Sequence, residues 1–129
     1  MEDRYLSKAK RISDGEWVVG YIIRYGYTGK EKYYIVPSYA SDLYCFLIDK
    51  NTICRCTGLN DKNGNLIWEN DIINNKCGKA VVVYDKAGWQ IEWIKDIIWR
   101  KDLYFWVNER QCEVIGNKID NPELLESEE

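Results

Sequence analysis

Between residues 57 and 73 the chain reads TGLNDKNGNLIWENDII, and few folds accommodate that order. Apolar residues lie on both sides of an Asn63-Gly64 dipeptide, and both residue types accept positive φ cheaply, so the chain reverses there. Residues 60–65 form the turn, and Leu66-Ile67-Trp68 re-enters a core. A second break at Glu69-Asn70-Asp71 precedes Ile72-Ile73, the start of another extended segment.

The remainder repeats this rhythm. Lys8 to Ile12 enters a sheet, Gly15 marks a turn, and residues 16–24 are β-branched and aromatic as a strand requires. Gly20 within that strand signals a bulge or a close backbone crossing. Residues 25–30 form a hairpin loop and residues 32–36 the returning strand. Residues 43–48 and 52–56 flank the polar turn Asp49-Lys50-Asn51 and are expected to pair as a hairpin. Ala80 to Tyr84 is a candidate central strand. After a tight turn at residues 85–88, Trp89, Ile91 and Trp93 alternate with Gln90 and Glu92, the pattern of a half-buried strand. In residues 94–106, Ile94, Ile97, Ile98 and Leu103 fit a helical face, whereas Tyr104-Phe105-Trp106-Val107 favours a strand; a loop and then a strand is the reading taken. Residues 112–115 form the last strand. Asn121 N-caps a short helix with Pro122 at its first position and Glu123 in its first turn, before the acidic tail 126–129. The expected fold is mainly β, a small closed or nearly closed barrel.

A chain of 129 residues is one domain's worth, able to bury a core without metal or disulfide. Ten Tyr and six Trp against two Phe suit half-buried sheet faces, or a partner surface. The net charge of −3 with interspersed signs is not the footprint of a non-specific nucleic-acid binder, and the one basic cluster, Lys8 with Lys10-Arg11, reads as a solvated arm. Five cysteines without a CxxC pair, in a chain lacking histidine, read as free and mostly buried thiols of a reducing cytosol. No apolar run has spanning length and Met1-Glu2-Asp3-Arg4 is polar, so a cytoplasmic protein, intracellular in its producing cell, is expected.

Thr57-Gly58-Leu59 through Asn63-Gly64, followed by Glu69-Asn70-Asp71-Ile72-Ile73, resembles the signature of the YopX family of phage and prophage proteins. A second match is Glu113-Val114-Ile115-Gly116-Asn117, closed by Asn121-Pro122-Glu123-Leu124-Leu125. A third is Asp14-Gly15-Glu16-Trp17-Val18 with Gly20-Tyr21. Asn70 departs from the family's usual glycine, and Lys118-Ile119 from an aliphatic followed by an aromatic. Asparagine tolerates a left-handed backbone, so the turn is kept. The resemblance implies an SH3-like barrel over residues 57–117, within a single domain 1–129. Residues 1–56 then form an N-terminal β subregion, and residues 118–129 the short helix and tail. It implies a prophage setting and supplies no catalytic residues.

No catalytic constellation emerges from the residues themselves. Without histidine a nucleophile–histidine machine is excluded. Glu69 and Asp71 could share a proton or a metal, but at a turn they read as solvated. Asp61, Asn63 and Asn65 open like a calcium loop, yet Leu66 stands where glycine is needed and Ile72 where a bidentate glutamate is needed. Thr57, Gly58, Leu59, Asp61, Asn63, Gly64, Glu69, Asp71, Ile72, Gly116, Asn117, Asn121 and Pro122 therefore read as turn, cap and core residues that set the fold. Gly116 is expected to need positive φ. No metal or cofactor is expected. The leading function is a non-enzymatic protein-interaction or self-assembling module, with a host or phage protein or a second copy as partner. The alternative is a nucleic-acid-binding accessory protein using Lys8, Lys10 and Arg11 with Lys95, Arg100 and Lys101.

Overall fold

The computed structural model describes residues 5–38, 45–95 and 100–126. The described chain is mainly β, with antiparallel sheets and one short α-helix, and it forms two compact units, Met1–Cys56 and Thr57–Glu129.

In the first unit, β1 (Ser7–Lys10), β2 (Trp17–Tyr25), β3 (Lys32–Pro37), β4 (Phe46–Leu47) and the start of β5 (Cys54–Asn60) lie in the order β4-β3-β2-β1-β5. Alternation sorts their side chains: Ala9, Val18 and Ile35 point to one face and, with Ile48, form a buried core that Ile22, Tyr33, Phe46 and Ile53 flank. Gly20 lies opposite Pro37, and a Cβ there would sit 1.9 Å from the Val36 carbonyl oxygen, so the expected close crossing is present.

The expected hairpin of residues 43–48 with 52–56 does not form. β4 pairs with β3, and β5 pairs with β1 through Ser7↔Arg55 and Lys8↔Cys54. Residues 43 and 44 lie outside the described residues. The 3-10 turn Lys50–Thr52 carries the chain past the end of β1 instead of folding it back. Asp49 N donates to Lys10 O at 3.0 Å, and Lys10 N donates to Thr52 Oγ1 at 2.8 Å. A three-residue polar turn marks a change of direction without naming the partner strand.

In the second unit the end of β5 leads into β6 (Leu66–Trp68), β7 (Asp71–Asn75), β8 (Gly78–Asp85) and β9 (Gly88–Trp93). Helix α1 (Leu103–Asn108), β10 (Glu113–Asn117) and a 3-10 turn (Pro122–Leu125) follow. The meander β7-β8-β9 is joined by β10, which returns beside β7, giving the order β10-β7-β8-β9. Among the described residues no pairing closes this sheet into a barrel. Ile67, Ile73, Val82, Ile91, Leu103 and Trp106 form its core with Trp93, Ala80 and Cys112.

The strand expected at residues 104–107 is instead α1. Leu103 and Trp106, three apart, are both buried, while Tyr104 between them is 64% exposed. A strand would have placed Tyr104 and Trp106 on one face. The helical spacing lets Trp106 meet Trp93 edge-on at 5.6 Å and donate its Nε1–H to the Arg100 carbonyl at 2.9 Å. Ile97 and Ile98 lie outside the described residues.

Candidate functional site

The motif residues of the second unit converge on two carboxylates. Asp61 is only 6% exposed. Its Oδ1 accepts from the backbone N–H of Asn63 (2.9 Å) and Asn65 (2.8 Å), and its Oδ2 from Val114 N (2.9 Å), clasping the turn to β10. Burial pushes this carboxyl up, but the N–H groups of Val114, Asn65 and Asn63 outweigh it and hold Asp61 below the usual carboxylate range. An oxygen pair committed to backbone donors is a structural clip, the opposite use to the calcium-loop position its spacing suggested. Gly64 closes the turn at φ 83°.

Asp71 corrects the sequence reading. It is 3% exposed rather than solvated, and its Oδ2 accepts from Trp68 N at 2.8 Å across the Glu69-Asn70 turn, with Glu69 half-buried beside it. Asn70 adopts φ 73°, the left-handed geometry expected of it, and its carbonyl accepts from Lys118 N at 3.0 Å. Thr57 Oγ1 donates to Ile67 O at 2.7 Å and accepts from Leu59 N at 3.1 Å, binding β5 to β6 around the exposed Gly58. Ile72 is fully buried.

At the other end, Asn117 lies opposite Asp71 and its Oδ1 accepts from Ile119 N and Asp120 N. Asn121 precedes the Pro122 turn, as expected, but makes no side-chain cap; its Oδ1 accepts from Asn117 N at 3.2 Å. Gly116 is a second correction. It does not belong to the positive-φ glycines. A Cβ there would instead crowd side chains, meeting Asn121 Oδ1 at 2.7 Å and Leu124 Cδ1 at 3.0 Å. The cysteines are all free, with Cys54, Cys56 and Cys112 buried. Burial, with Asp61 and Asp71 nearby, pushes the Cys112 thiol up to about 12, so it is unreactive.

These residues make contacts within the second unit, with Gly58, Asn63, Gly64 and Pro122 exposed. A different kind of surface lies in the first unit, on the face of β2–β3–β4 opposite the core. Register places Tyr21, Ile23 and Tyr25 of β2 beside Val36, Tyr34 and Lys32 of β3, with Leu47 of β4 next to Tyr34. Ile23 is 46% exposed, Tyr25 72% and Leu47 38%. On β1 the same face carries Lys8 and Lys10, opposite Val19 and Trp17, and both ammonium groups lie over the Trp17 ring, at 4.7 and 5.4 Å from its centroid. These outward positions contain lysines and no carboxylate; Glu31 has the parity of the core-facing Tyr33.

A family model described as YopX protein matches residues 9–126, nearly the whole chain. The chain belongs to the YopX family. A crystal structure of protein EF1440 from Enterococcus faecalis is similar over 93% of this chain and 96% of that one, at 21% identity and a TM-score of 0.53, a likeness of fold. Comparison with curated proteins gave no significant match.

The YopX motif residues of the second unit are thus near one another in space as well as in sequence, and they serve folding. Of the outward face of the first unit, the motif matches include only Trp17 and Tyr21. Its signal was present in the alternation of residues 17–25, where Trp17, Val19, Tyr21, Ile23 and Tyr25 recur at every second position. Polar residues would occupy those places in a strand with one solvated face.

Proposed function

We propose that this YopX-family chain is a non-enzymatic binding module whose contact surface is the outward face of β2–β3–β4. The observation that carries the reading is a sheet face that the strand register fills with apolar and aromatic residues, Ile23, Tyr25 and Leu47 exposed and Tyr21, Tyr34 and Val36 half-buried, where a sheet with one wet face normally alternates to polar residues. The apolar part of that face supports a protein-interaction or self-assembling module as the leading reading, with a nucleic-acid accessory role as the alternative. The carboxylates best placed for chemistry, Asp61 and Asp71, are spent on backbone N–H groups, which supports binding over catalysis.

A phage or prophage setting and a cytoplasmic location belong to the same proposal, on what the family resemblance implies; among the described residues no helix is long and apolar enough to cross a membrane. The SH3-like description of residues 57–117 is also proposed, supported by a meander followed by a helical turn and a strand returning to the first strand of the meander.

The test is a photo-crosslinking amino acid placed at position 25 in producing cells, with position 104 as control, since Tyr104 is similarly exposed at 64%. Adducts are expected at 25 and not at 104. Equal or absent labelling at both would reject this face as the contact surface.

A further inference from the structure

The sheet of the second unit has a face that points away from its core. The residues of β7 and β8 that alternate with Ile73, Ala80 and Val82 are Ile72, Val81 and Val83, all apolar, and register puts Ile72 beside both Val81 and Gly116. The chain closes over part of this face. Leu124 lies near enough to Gly116 that its Cδ1 would meet a Cβ there at 3.0 Å, and Leu125 follows in the same 3-10 turn. Ile72 is fully buried, whereas Val81 and Val83 are half-buried. At the half-buried part lies a cleft of about 320 Å³, with Val81, Val83, Ile94 and Leu125 as its apolar lining.

Two opposite charges line the same cleft. Glu92 stands on β9, opposite Val81. Lys118 comes from the other side, just after β10. Its N–H donates to Asn70 O at 3.0 Å, and Asn70 N donates to Val82 O at 2.8 Å, which ties Lys118 to the Val82–Val83 end of β8. Both residues are exposed, and among the described residues neither side chain takes part in an ion pair or a hydrogen bond.

We propose that this cleft binds a small zwitterion of dipeptide size, with its ammonium against Glu92, its carboxylate against Lys118 and an aliphatic side chain on Val81, Val83 and Leu125. The site belongs to the second unit and does not depend on the reading of β2–β3–β4. The volume sets the size, because it lies at the small end of the range of about 300–1,000 Å³ for small-molecule sites. The lining sets the composition: the apolar floor favours an aliphatic group, and each charge at its sides takes an opposite one. The spacing sets the separation. Glu92 and Lys118 belong to strand lines three apart, roughly 14 Å between backbones at about 4.8 Å per strand, a gap that the two side chains bridge only in part. A free amino acid carries both charges on one carbon. An extended dipeptide parts its ends by up to about 7 Å, at about 3.5 Å per residue. A simple anion or cation satisfies one side of the cleft and leaves the other without a partner.

The test is an NMR titration of the isotope-labelled full chain with alanyl-leucine, its N-acetyl form, its C-terminal amide and free leucine. The amide signals of Val81, Val83, Ile94 and Leu125 should shift together with alanyl-leucine, with half-saturation on the order of 1 mM. Acetylation, amidation and the loss of one residue should each weaken binding about fivefold, the scale of one solvent-exposed ion pair. Glu92→Gln should weaken alanyl-leucine about fivefold and leave the N-acetyl form where it was, since that form has no ammonium to lose. Lys118→Met should do the same for the amide. A merely structural role would lower the affinity of every ligand alike. Both positions are exposed, so the fold should withstand the changes; if it does not, the four ligands on the unchanged chain decide the matter.

Absence of a saturable shift at the cleft overturns the proposal, as do shifts confined to residues away from it. Capped forms that bind as tightly as alanyl-leucine reject the zwitterion. Variants that weaken all four ligands equally reject the roles given to Glu92 and Lys118.

Discussion

The two units use the same antiparallel strands to different ends. In the second, aromatic residues go inward: Trp68, Trp93 and Trp106 are each no more than 9% exposed, and the loops are tied by Asp61, Asp71, Thr57 and Asn117 to backbone groups. In the first, the buried apolar cluster among the described residues is smaller, Ala9, Val18, Ile35 and Ile48, while Tyr21, Tyr25 and Tyr34 line an outward face. Side-chain-to-backbone clips stabilise turns that a short strand cannot hold by packing alone. A unit that spends its aromatics on a surface has fewer of them for its core. The contrast teaches that aromatic richness in this chain has two separate placements, a packed core in one unit and an outward sheet face in the other.

The comparison can be broken at each core. Trp106→Ala should destabilise the second unit by about 4 kcal/mol, the loss expected for a buried tryptophan, read by denaturant unfolding. Gly20→Ala should cost the first unit about 3 kcal/mol, because the new Cβ meets the Val36 carbonyl and both strands must shift. Proteolysis should then show which unit opens first in each variant. If Gly20→Ala left the first unit as resistant as before, the small-core description of that unit would be wrong.

The clip at Asp61 is tested next. Asp61→Ala leaves the N–H groups of Asn63, Asn65 and Val114 without their acceptor and should cost about 3 kcal/mol at neutral pH. Because the folded pKa lies below the unfolded value, the carboxylate's contribution is fully present above about pH 4 and is lost as pH falls through the lowered value. The stability gap between the native protein and Asp61→Ala should therefore narrow in acid. A gap that stayed constant with pH would mean that Asp61 acts by shape and not by charge.

A smaller effect separates two explanations of one glycine. Gly116→Val should destabilise by about 2 kcal/mol through contact with Asn121 and Leu124. Adding Asn121→Ala should recover part of that loss, which a positive-φ requirement would not allow. The smallest change belongs to the open face of the first unit. Tyr25→Ser should move stability by no more than about 0.5 kcal/mol, since the ring is mostly in solvent. A large loss of stability there would show that Tyr25 is a packing residue and would erase the contrast between the units.

What the residue order determined by itself was local. The reversal at Asn63-Gly64, the left-handed Asn70, the close approach at Gly20 and the alternation in residues 89–93 all depend on neighbours a few positions away, and all are present. Backbone preference and side-chain period act over that range, so they are legible in one chain. Tertiary structure decided the rest. β5 chose β1 over β4 because the 3-10 turn after Asp49 bonds to Lys10, far back in the chain. Leu103 and Trp106 became helical because the core beneath them could take two residues three apart and not a row at every second place. Asp61 and Asp71 became buried clips because β10 and the end of β6 presented N–H groups to them. A carboxylate's sequence neighbours say that it stands in a turn. Only the strands brought against it decide whether it faces water or holds the turn closed, because desolvation and hydrogen bonding are set by what surrounds it in space.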